Sequence, residues 1–284
     1  MLKNNQRSEL DQAVLAHAVR ERNVIGDQID ECQESLAIKG FFVMQSDLSQ
    51  MEIDYARTRA DEIYDQQVRD IGGAVNLKKI NDENIARAVC AHDNIFLRIA
   101  IMPVIMQVCH RMLGPYITLM SQNAILNRPG TDHYQFTWHR DLNYQHWTSS
   151  RPLSISALVC LDPFDEKTGG TYVLPASHKR EPFPSDEYVR ANQEVICANP
   201  GDVIFFDSML YHRTGKNTSE KIRRAINHII TPPLFRQQYN FPKMLKNHGI
   251  TDSATRQYLG FEMELPDDAL AWRLSKLQKV GVEL

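Results

Sequence analysis

The chain of 284 residues has the composition of an ordinary folded protein, 43% hydrophobic and 24% charged. Its formal net charge of -3 gives no reason to expect a nucleic-acid or membrane partner. The five cysteines form no Cys-x-x-Cys pair, which argues against a zinc knuckle or a disulfide framework. The N-terminus lacks the apolar core of a signal peptide and no run of 18 apolar residues occurs, so we expect a cytoplasmic protein.

The first part of the chain has mainly helical patterns. In chain order these predict a helical stretch over residues 8–39, a short strand over 40–44, a helix over 49–68 and a helical stretch over 93–113. Ser49 and Glu52 form a capping-box signature at the start of the second helix. Pro103 lies inside the last stretch, where we expect a break or kink. Residues 68–82 are a candidate lid.

From Tyr116 the pattern changes to short apolar or alternating runs, separated by turn residues. The predicted strands cover residues 116–126, 153–161, 171–174, 194–197, 202–206 and 224–231. A further helix is predicted over residues 266–280. Many short strands at this spacing predict a mainly β fold with flanking helices, either a β-sandwich or a jelly roll.

We expect one domain over residues 1–284. Its predicted parts are a mainly helical N-terminal part (1–115), a jelly-roll core (116–231) and a C-terminal extension (232–284). The oligomeric state leaves no signal in this sequence.

The motif Trp138-His139-Arg140-Asp141 is the first candidate metal site. His139 and Asp141 are two residues apart, so on a strand their side chains leave by the same face. That arrangement lets an imidazole and a carboxylate meet one cation. Taken alone, each histidine is more often a surface or hydrogen-bonded residue, and the aspartate a turn or cap residue.

A second motif supports the metal site. The turn Pro200-Gly-Asp202 leads into an apolar strand that ends shortly before His212. Two histidines and one carboxylate, here His139, Asp141 and His212, are the facial ligand set of non-haem Fe(II) oxygenases. Zinc prefers four ligands, often including thiolates, and no cysteine is placed to help.

Two arginines follow His212 at a spacing that could bring one of them back to the metal site. Arg223 and Arg224 lie 11 and 12 residues beyond it, at the start of the next predicted strand. In an antiparallel hairpin that distance brings one of the two back beside His212. A guanidinium binds a carboxylate through two parallel hydrogen bonds, which suits the far end of a keto acid. A lone arginine would be read as a solvated charge.

These motifs resemble the phytanoyl-CoA dioxygenase family of Fe(II)/2-oxoglutarate oxygenases, over roughly residues 39–231. The matching segments are Gly40-Phe-Phe-Val43, Trp138-His-Arg-Asp141, Gly169-Gly-Thr-Tyr-Val-Leu-Pro-Ala-Ser-His178, and Pro200-Gly-Asp202 through His212 and Asn217 to Arg223. One position departs from the family pattern: Ala176 stands where glycine is usual, so the turn there is expected to differ slightly.

The resemblance implies a double-stranded β-helix (jelly roll, cupin-like) core and a site that holds Fe(II), 2-oxoglutarate and O2. The implied iron ligands are His139, Asp141 and His212. The implied 2-oxoglutarate contacts are Arg223 on the distal carboxylate, the Thr214 hydroxyl, and Gln135 and Asn123 from neighbouring strands.

The implied activity is a dioxygenase that hydroxylates a small-molecule metabolite and releases succinate and CO2. Asp141 fills the coordination position that related iron halogenases leave open for chloride, so oxygen insertion is preferred over chlorination. Two alternatives stay open: a cupin-like metal enzyme that does not use 2-oxoglutarate, and a non-catalytic binding member of the fold.

The primary substrate is not identified by these motifs. Aromatic and basic residues near the triad have two equally good interpretations. They could bind a polar or anionic small molecule, or they could be core aromatics and solvated charges. They are Tyr134, Arg140, Tyr144, His146, Trp138, Trp147 and Arg213. The histidines His133, His146 and His178 lack ligand spacing, so we leave them out of the metal set.

Overall fold

The residues that the structure describes form nine β-strands in two antiparallel sheets. The computed structural model describes residues 14, 16–131, 134–142 and 146–282, and of Tyr134 and Lys279 only the backbone. The strands are β1 (Phe41–Gln45), β2 (Ile85–Arg87), β3 (Thr118–Asn127), β4 (Ile155–Cys160), β5 (Thr171–Val173), β6 (Glu194–Val195), β7 (Asp202–Asp207), β8 (His212–Thr214) and β9 (Arg223–Thr231). The larger sheet has the order β1-β7-β4-β9-β3-β2 and the smaller one the order β6-β5-β8.

The two sheets share an apolar core. Along β7, Ile204 and Phe206 pack with Val173 of β5 and Ile196, while Val203 and Phe205 belong to the core on the other side of the larger sheet. Because side chains alternate between the two faces of a strand, one strand serves both cores. The predicted jelly-roll or double-stranded β-helix core with flanking helices is therefore confirmed, with a large sheet that does not close into a barrel.

Helices flank the two sheets, and most of them pack on the outer face of the larger sheet. They are α1 (Gln28–Ile38), α2 (Gln50–Asp70), α3 (Ala74–Lys79), α4 (Asn94–Ala100), α5 (Pro103–Leu113), α6 (Asp186–Asn192), α7 (Phe241–Met244), α8 (Ser253–Tyr258) and α9 (Ala269–Lys279). Buried residues such as Phe96 of α4 and Ile105 of α5 pack with Leu119, Val159 and Phe205 of the sheet. In the part of the chain that the structure describes, no single helix is long and apolar enough to span a membrane; α4 and α5 would pass that test only together, across a bend of 43°.

Local sequence signals position several helix boundaries. Ser49 accepts a hydrogen bond from the backbone of Glu52, whose side chain accepts one from the backbone of Ser49, so the predicted capping box is present. Pro103 is the first residue of α5, and the predicted break there separates α4 from α5.

The helix predicted over residues 8–39 is wrong for much of the part that can be described. Residues 1–13 and 15 lie outside the described residues, and the chain between residues 16 and 26 is not helical. The helix α1 begins only after Asp27, whose side chain accepts a hydrogen bond from the Asp30 backbone. Val19 and Val24 are exposed, so the apolar periodicity before Asp27 has no surface to pack against.

Candidate active site

His139, Asp141 and His212 come together as a candidate metal centre. One ligand atom from each lies within 4.8 Å of the other two, and the ligating side chains sit between the two sheets. The Nε2 atom of His212 is 3.5 Å from Oδ1 of Asp141, and the centroids of the two imidazole rings are 4.3 Å apart. In the described residues, this is the one group of three histidine, cysteine or acidic side chains with such spacing.

Backbone hydrogen bonds hold the three residues in place. The N–H of His139 donates to the His212 carbonyl (2.9 Å), the N–H of His212 donates back (3.1 Å), and the N–H of Asp141 donates to the Ser208 carbonyl (3.0 Å). We expected His139 and Asp141 on one regular strand; instead His139 forms an isolated bridge with His212. The loop still directs both side chains to one point, because each backbone is tied to the segment that carries the third ligand.

Both histidines have their Nδ1 atoms occupied by backbone carbonyls. Nδ1 of His139 is 2.8 Å from the Thr137 carbonyl, and Nδ1 of His212 is 3.0 Å from the Leu210 carbonyl. A carbonyl only accepts, so we infer that Nδ1 carries the proton in each ring. Each Nε2 is then left with a lone pair for a metal ion.

Three buried serines lie behind Asp141. The hydroxyl of Ser156 donates a hydrogen bond to Oδ2 of Asp141 and is 2.8 Å from the Ser208 hydroxyl. Ser208 donates in turn to the hydroxyl of Ser154 (2.8 Å), which donates to the Ile230 carbonyl (2.9 Å). This serine chain (Ser154, Ser156 and Ser208) fixes one carboxylate oxygen and leaves the other, Oδ1, directed toward His212.

The electrostatics of the triad favour a cation. Burial lowers the pKa of His139 to about 4, with His212 contributing in the same direction, so this ring is neutral at pH 7. Burial opposes ionisation of Asp141, but the neighbouring His212 and Ser156 lower its pKa overall. The same carboxylate raises the pKa of His212 against the effect of burial. An ionised carboxylate beside two imidazoles in a buried site suits a divalent metal.

Arg223 is the most unusual buried side chain in the site. It is only 2% exposed, and its Nε and Nη2 atoms have no hydrogen-bond partner in the described residues. The guanidinium stacks 4.3 Å from the centroid of the Phe164 ring. Burial lowers its pKa to about 10, which leaves it charged at neutral pH. A buried charge without a partner is costly, and an anion in this cavity would offset that cost.

Arg224 has a different role. Its guanidinium bonds to Asp61 (2.8 and 2.9 Å) and Asp162 (3.0 Å) on the helical side of the sheet. The predicted hairpin between His212 and the arginine is wrong, because β8 lies in the smaller sheet and β9 in the larger one. Arg223 instead reaches the same cavity as His212 from across the interior between the sheets.

An inner cavity of about 30 Å³ connects the triad to Arg223. The residues that line it are Ile125, Gln135, His139, Asp141, Leu158, Thr171, Phe206, His212, Thr214, Arg223 and Asn227. Of the predicted 2-oxoglutarate contacts, Gln135, Thr214 and Arg223 are therefore in this cavity. The volume is close to that of a few water molecules, so a keto acid must also use the adjoining space or move side chains.

A larger outer cavity of about 500 Å³ adjoins the inner one. The two cavities share five lining residues, namely Ile125, Gln135, His139, Asp141 and Asn227. Asn123 lines only the outer cavity. No residue of the predicted lid, 68–82, lines either cavity, although Asp82 bonds to Arg87 in the outer wall. The outer cavity is in the size range of sites for drug-sized molecules.

Several residues near the triad are used for packing rather than for lining the cavities. The guanidinium of Arg213 lies between the rings of Trp138 (5.4 Å) and Tyr172 (4.0 Å). His146 and Trp147 are exposed. Of the other residues considered, His133 and Tyr144 lie outside the described residues, and only the backbone of Tyr134 is described. For Trp138 and Arg213 the structure thus favours the packing interpretation.

Sequence reasoning missed the serine chain, Asn227 and Phe164. Ser154 and Ser156 alternate with apolar residues at the start of β4, so two hydroxyls on one face of a buried strand were the available signal. Asn227 lies four residues after Arg223 on the same strand face, which was a second signal. Phe164 is in a loop, and nothing in its local sequence relates it to Arg223.

The residues present fit an iron ion and 2-oxoglutarate. Two imidazole nitrogens and one carboxylate oxygen of the triad could bind one face of a metal ion. The Arg223 guanidinium, which has no hydrogen-bond partner at Nε and Nη2 in the described residues, could bind the distal carboxylate of 2-oxoglutarate in the same inner cavity.

Comparisons with known proteins agree with this geometry. An uncharacterized protein of Mycobacterium tuberculosis is 27% identical over 242 residues, covering 82% of this chain and 87% of the relative. The peroxisomal phytanoyl-CoA dioxygenase of Bos taurus is 24% identical over 237 residues, covering 73% and 69% of the two chains. The solved structure of EctD from S. alaskensis with 2-oxoglutarate and 5-hydroxyectoine shares the fold, with a TM-score of 0.61 at 18% identity over 81% of this chain and 83% of that chain.

The model of the Phytanoyl-CoA dioxygenase (PhyH) family matches residues 37–225, which is more than half of the chain. The matched region includes the triad, the serine chain and Arg223. The protein therefore belongs to the phytanoyl-CoA dioxygenase (PhyH) family, as the sequence motifs predict.

Proposed function

We propose that this protein is an Fe(II)- and 2-oxoglutarate-dependent dioxygenase that hydroxylates a small-molecule metabolite and releases succinate and CO2. One observation carries the proposal: the buried Arg223 guanidinium, without a hydrogen-bond partner in the described residues, lines the same inner cavity as the metal triad. Family membership and fold neighbours that include non-haem oxygenases support it.

Each residue of the site has a role in this proposal. His139, Asp141 and His212 hold the iron, and the serine chain fixes the orientation of the Asp141 carboxylate. Arg223, with the Thr214 hydroxyl beside it in the inner cavity, binds the distal carboxylate of 2-oxoglutarate. When bound, iron, 2-oxoglutarate and O2 supply the oxidising equivalents, and the protein orients the substrate and excludes water.

The outcome of the reaction follows from the third ligand and from the walls of the site. The Asp141 carboxylate occupies the coordination position that chloride takes in related halogenases. Hydroxylation is therefore favoured over chlorination. The outer cavity opens directly on the triad, so a molecule that occupies it presents its reacting carbon to the metal position. A cytoplasmic location and a small-molecule partner remain predictions from the sequence.

The proposal is tested by measuring oxygen-dependent conversion of 2-oxoglutarate to succinate. Iron-loaded protein is incubated with 2-oxoglutarate in air and, in parallel, without oxygen, and succinate is measured. We expect oxygen-dependent succinate that is lost in Asp141→Ala and strongly reduced in Arg223→Lys, with Arg224→Lys as the matched control. Folded, iron-loaded protein that forms no more succinate than Asp141→Ala would favour the cupin-like or non-catalytic alternative.

A further inference from the structure

The outer cavity beside the metal position is lined by apolar and by polar residues. Its apolar lining residues come from the larger sheet, the triad loop and the segment after β9; they are Ile85, Met120, Ile125, Leu142, Ile229 and Phe235. These six apolar side chains favour a ligand that buries carbon-rich surface against them on binding.

A short polar row crosses this wall. Ser121 and Asn123 are two residues apart on β3, and Asn227 of β9 is the register partner of Asn123. The Ser121 hydroxyl and Oδ1 of Asn227 are buried and have no hydrogen-bond partner in the described residues. Oδ1 of Asn123 accepts from the Tyr239 hydroxyl (2.9 Å) and the Ala88 backbone (3.4 Å), which leaves its amide nitrogen to donate. The row thus offers one hydroxyl and two amides, all uncharged.

The two arginines of the outer wall, Arg87 and Arg140, already have partners within the protein. Nε of Arg87 is 3.0 and 3.2 Å from the two carboxylate oxygens of Asp82. The guanidinium of Arg140 donates to four backbone carbonyls, those of Met209 (2.8 Å), Ser177 (3.3 Å), Glu181 (3.4 Å) and Arg180. Among the described residues of this wall, the Asp82 carboxylate and the backbone carbonyls thus already engage the two guanidinium groups that could form a forked ion pair with an anionic substrate.

Part of this wall lies beyond the region that the family shares. The family match ends at residue 225, whereas Ile229, Phe235 and Gln238 follow it. The segment is held against β3, because the backbone N–H of Gln238 donates to the Met120 carbonyl (2.9 Å) and the Gln237 side chain donates to the Leu119 carbonyl (2.8 Å). Part of the outer cavity is thus formed by residues that follow the family match.

From these observations we infer that the primary substrate is an uncharged molecule of drug-like size that has both apolar faces and hydroxyl or carbonyl groups. Its apolar faces contact Ile229 and Phe235, and its polar groups bond to Ser121, Asn123 and Asn227. An acid, a phosphate ester or a nucleotide conjugate would bring a charge that this wall does not pair. The inference rests on the proposed function, because it assigns the outer cavity to the molecule that is oxidised.

The substrate class can be tested with two dyes whose fluorescence rises when they bind to an apolar site. Nile red is uncharged and has a ring carbonyl, whereas 1-anilinonaphthalene-8-sulfonate is similar in size but anionic. We expect Nile red to bind one site at least ten times more tightly than the sulfonate. Ile229→Trp, which fills the cavity, should weaken Nile red at least tenfold, and the milder Ile229→Phe should weaken it less. Ile80→Trp, at an exposed position, is the matched control.

The two proposals fail in different ways. Absence of a Nile red site, Nile red binding that both Ile229 variants leave unchanged, or sulfonate binding of equal strength in the same cavity would overturn the substrate class. Binding of Fe(II) and 2-oxoglutarate to the same samples is measured in parallel. If that binding is intact while the dye result fails, only the substrate class is overturned; if it is absent while Nile red binds as expected, only the proposed oxygenase function is.

Discussion

Ser156 donates its hydroxyl hydrogen bond to Oδ2 of Asp141, the carboxylate oxygen that does not face His212. The second oxygen is thereby left as the ligand atom. Ser156 is itself fully buried and its hydroxyl oxygen lies 2.8 Å from that of Ser208, so the carboxylate cannot rotate without breaking its hydrogen bond from Ser156. Partners that orient a metal ligand in this way usually matter for metal affinity.

Removal of this hydroxyl should weaken the metal site without unfolding the protein. We expect Ser156→Ala to lower Fe(II) affinity by roughly 10- to 100-fold. Ser154→Ala, one hydroxyl further from Asp141, should have a smaller effect, and Ser275→Ala on α9 should have none. Anaerobic Fe(II) titration with a competing chelator measures all three. Equal iron affinity in Ser156→Ala and the wild type would show that the serine chain is only core packing.

The charge of Arg223 is predicted to serve 2-oxoglutarate and not the metal. Lysine keeps the charge but loses the planar fork and the stacking on Phe164. Arg223→Lys should therefore lose about 1.5–3 kcal/mol of 2-oxoglutarate binding, or roughly 10- to 100-fold in affinity. Fe(II) affinity should stay the same.

Arg224→Lys provides the control for that measurement, because Arg224 bonds to Asp61 and Asp162 on the opposite face of the sheet. Calorimetric titration of 2-oxoglutarate into the metal-loaded variants gives both affinities. A larger loss in Arg224→Lys than in Arg223→Lys would contradict the assignment of the anchor.

Asp207 should make stability depend on pH in an unusual direction. It is 3% exposed, and burial raises its pKa to about 6 from the model-compound value of 3.8. The folded state therefore keeps this proton more tightly than the unfolded state, so its contribution to stability is lost as pH rises from about 4 to about 6. The two-unit shift corresponds to about 2–3 kcal/mol.

Asp207→Asn keeps an acceptor for the Met209 backbone N–H, which now donates to Oδ1 of Asp207 at 2.9 Å. We expect the variant to gain up to about 2–3 kcal/mol in free energy of unfolding at pH 7 and nothing at pH 3.5. Denaturant unfolding of metal-free protein at both pH values measures the difference. A variant whose stability relative to the wild type is the same at both pH values would contradict the raised pKa of Asp207, because its effect would then not depend on ionisation of the carboxyl group.

Ala176 is held in the left-handed region, with a φ of 61°. Its Cβ makes this conformation unfavourable, and the family pattern has glycine here. Ala176→Gly should raise the free energy of unfolding by roughly 0.5–1 kcal/mol after the greater chain entropy of glycine is taken into account. Ala254→Gly, inside α8, should instead lower it by a similar amount. Thermal unfolding compares the two, and a loss of stability in Ala176→Gly would contradict the strain.

Local signals in the sequence predicted much of this fold. The strand over residues 202–206, the capping box at Ser49 and the break at Pro103 depend on neighbouring residues, and the structure confirms them. The helix before Asp27 failed because periodicity alone gives no packing surface.

The site was predictable only where residue spacing carries the information. The order of His139, Asp141 and His212, together with the family resemblance, predicted the triad. The spacing alone left the choice between Arg223 and Arg224 open, and the resemblance implied Arg223. The contacts of Phe164 with Arg223, and of Ser208 with Ser156, join segments far apart in the chain. Such pairs follow from tertiary packing, so no local pattern could predict them.

The most direct test of the account is anaerobic titration of the metal-free protein with Fe(II) and then 2-oxoglutarate. A weak visible charge-transfer band reports a keto acid bound to the iron. The account predicts that the band appears in the wild type, is lost in Asp141→Ala, and needs much more 2-oxoglutarate in Arg223→Lys but not in Arg224→Lys. Folded, iron-loaded wild-type protein that shows no band at saturating 2-oxoglutarate would contradict it.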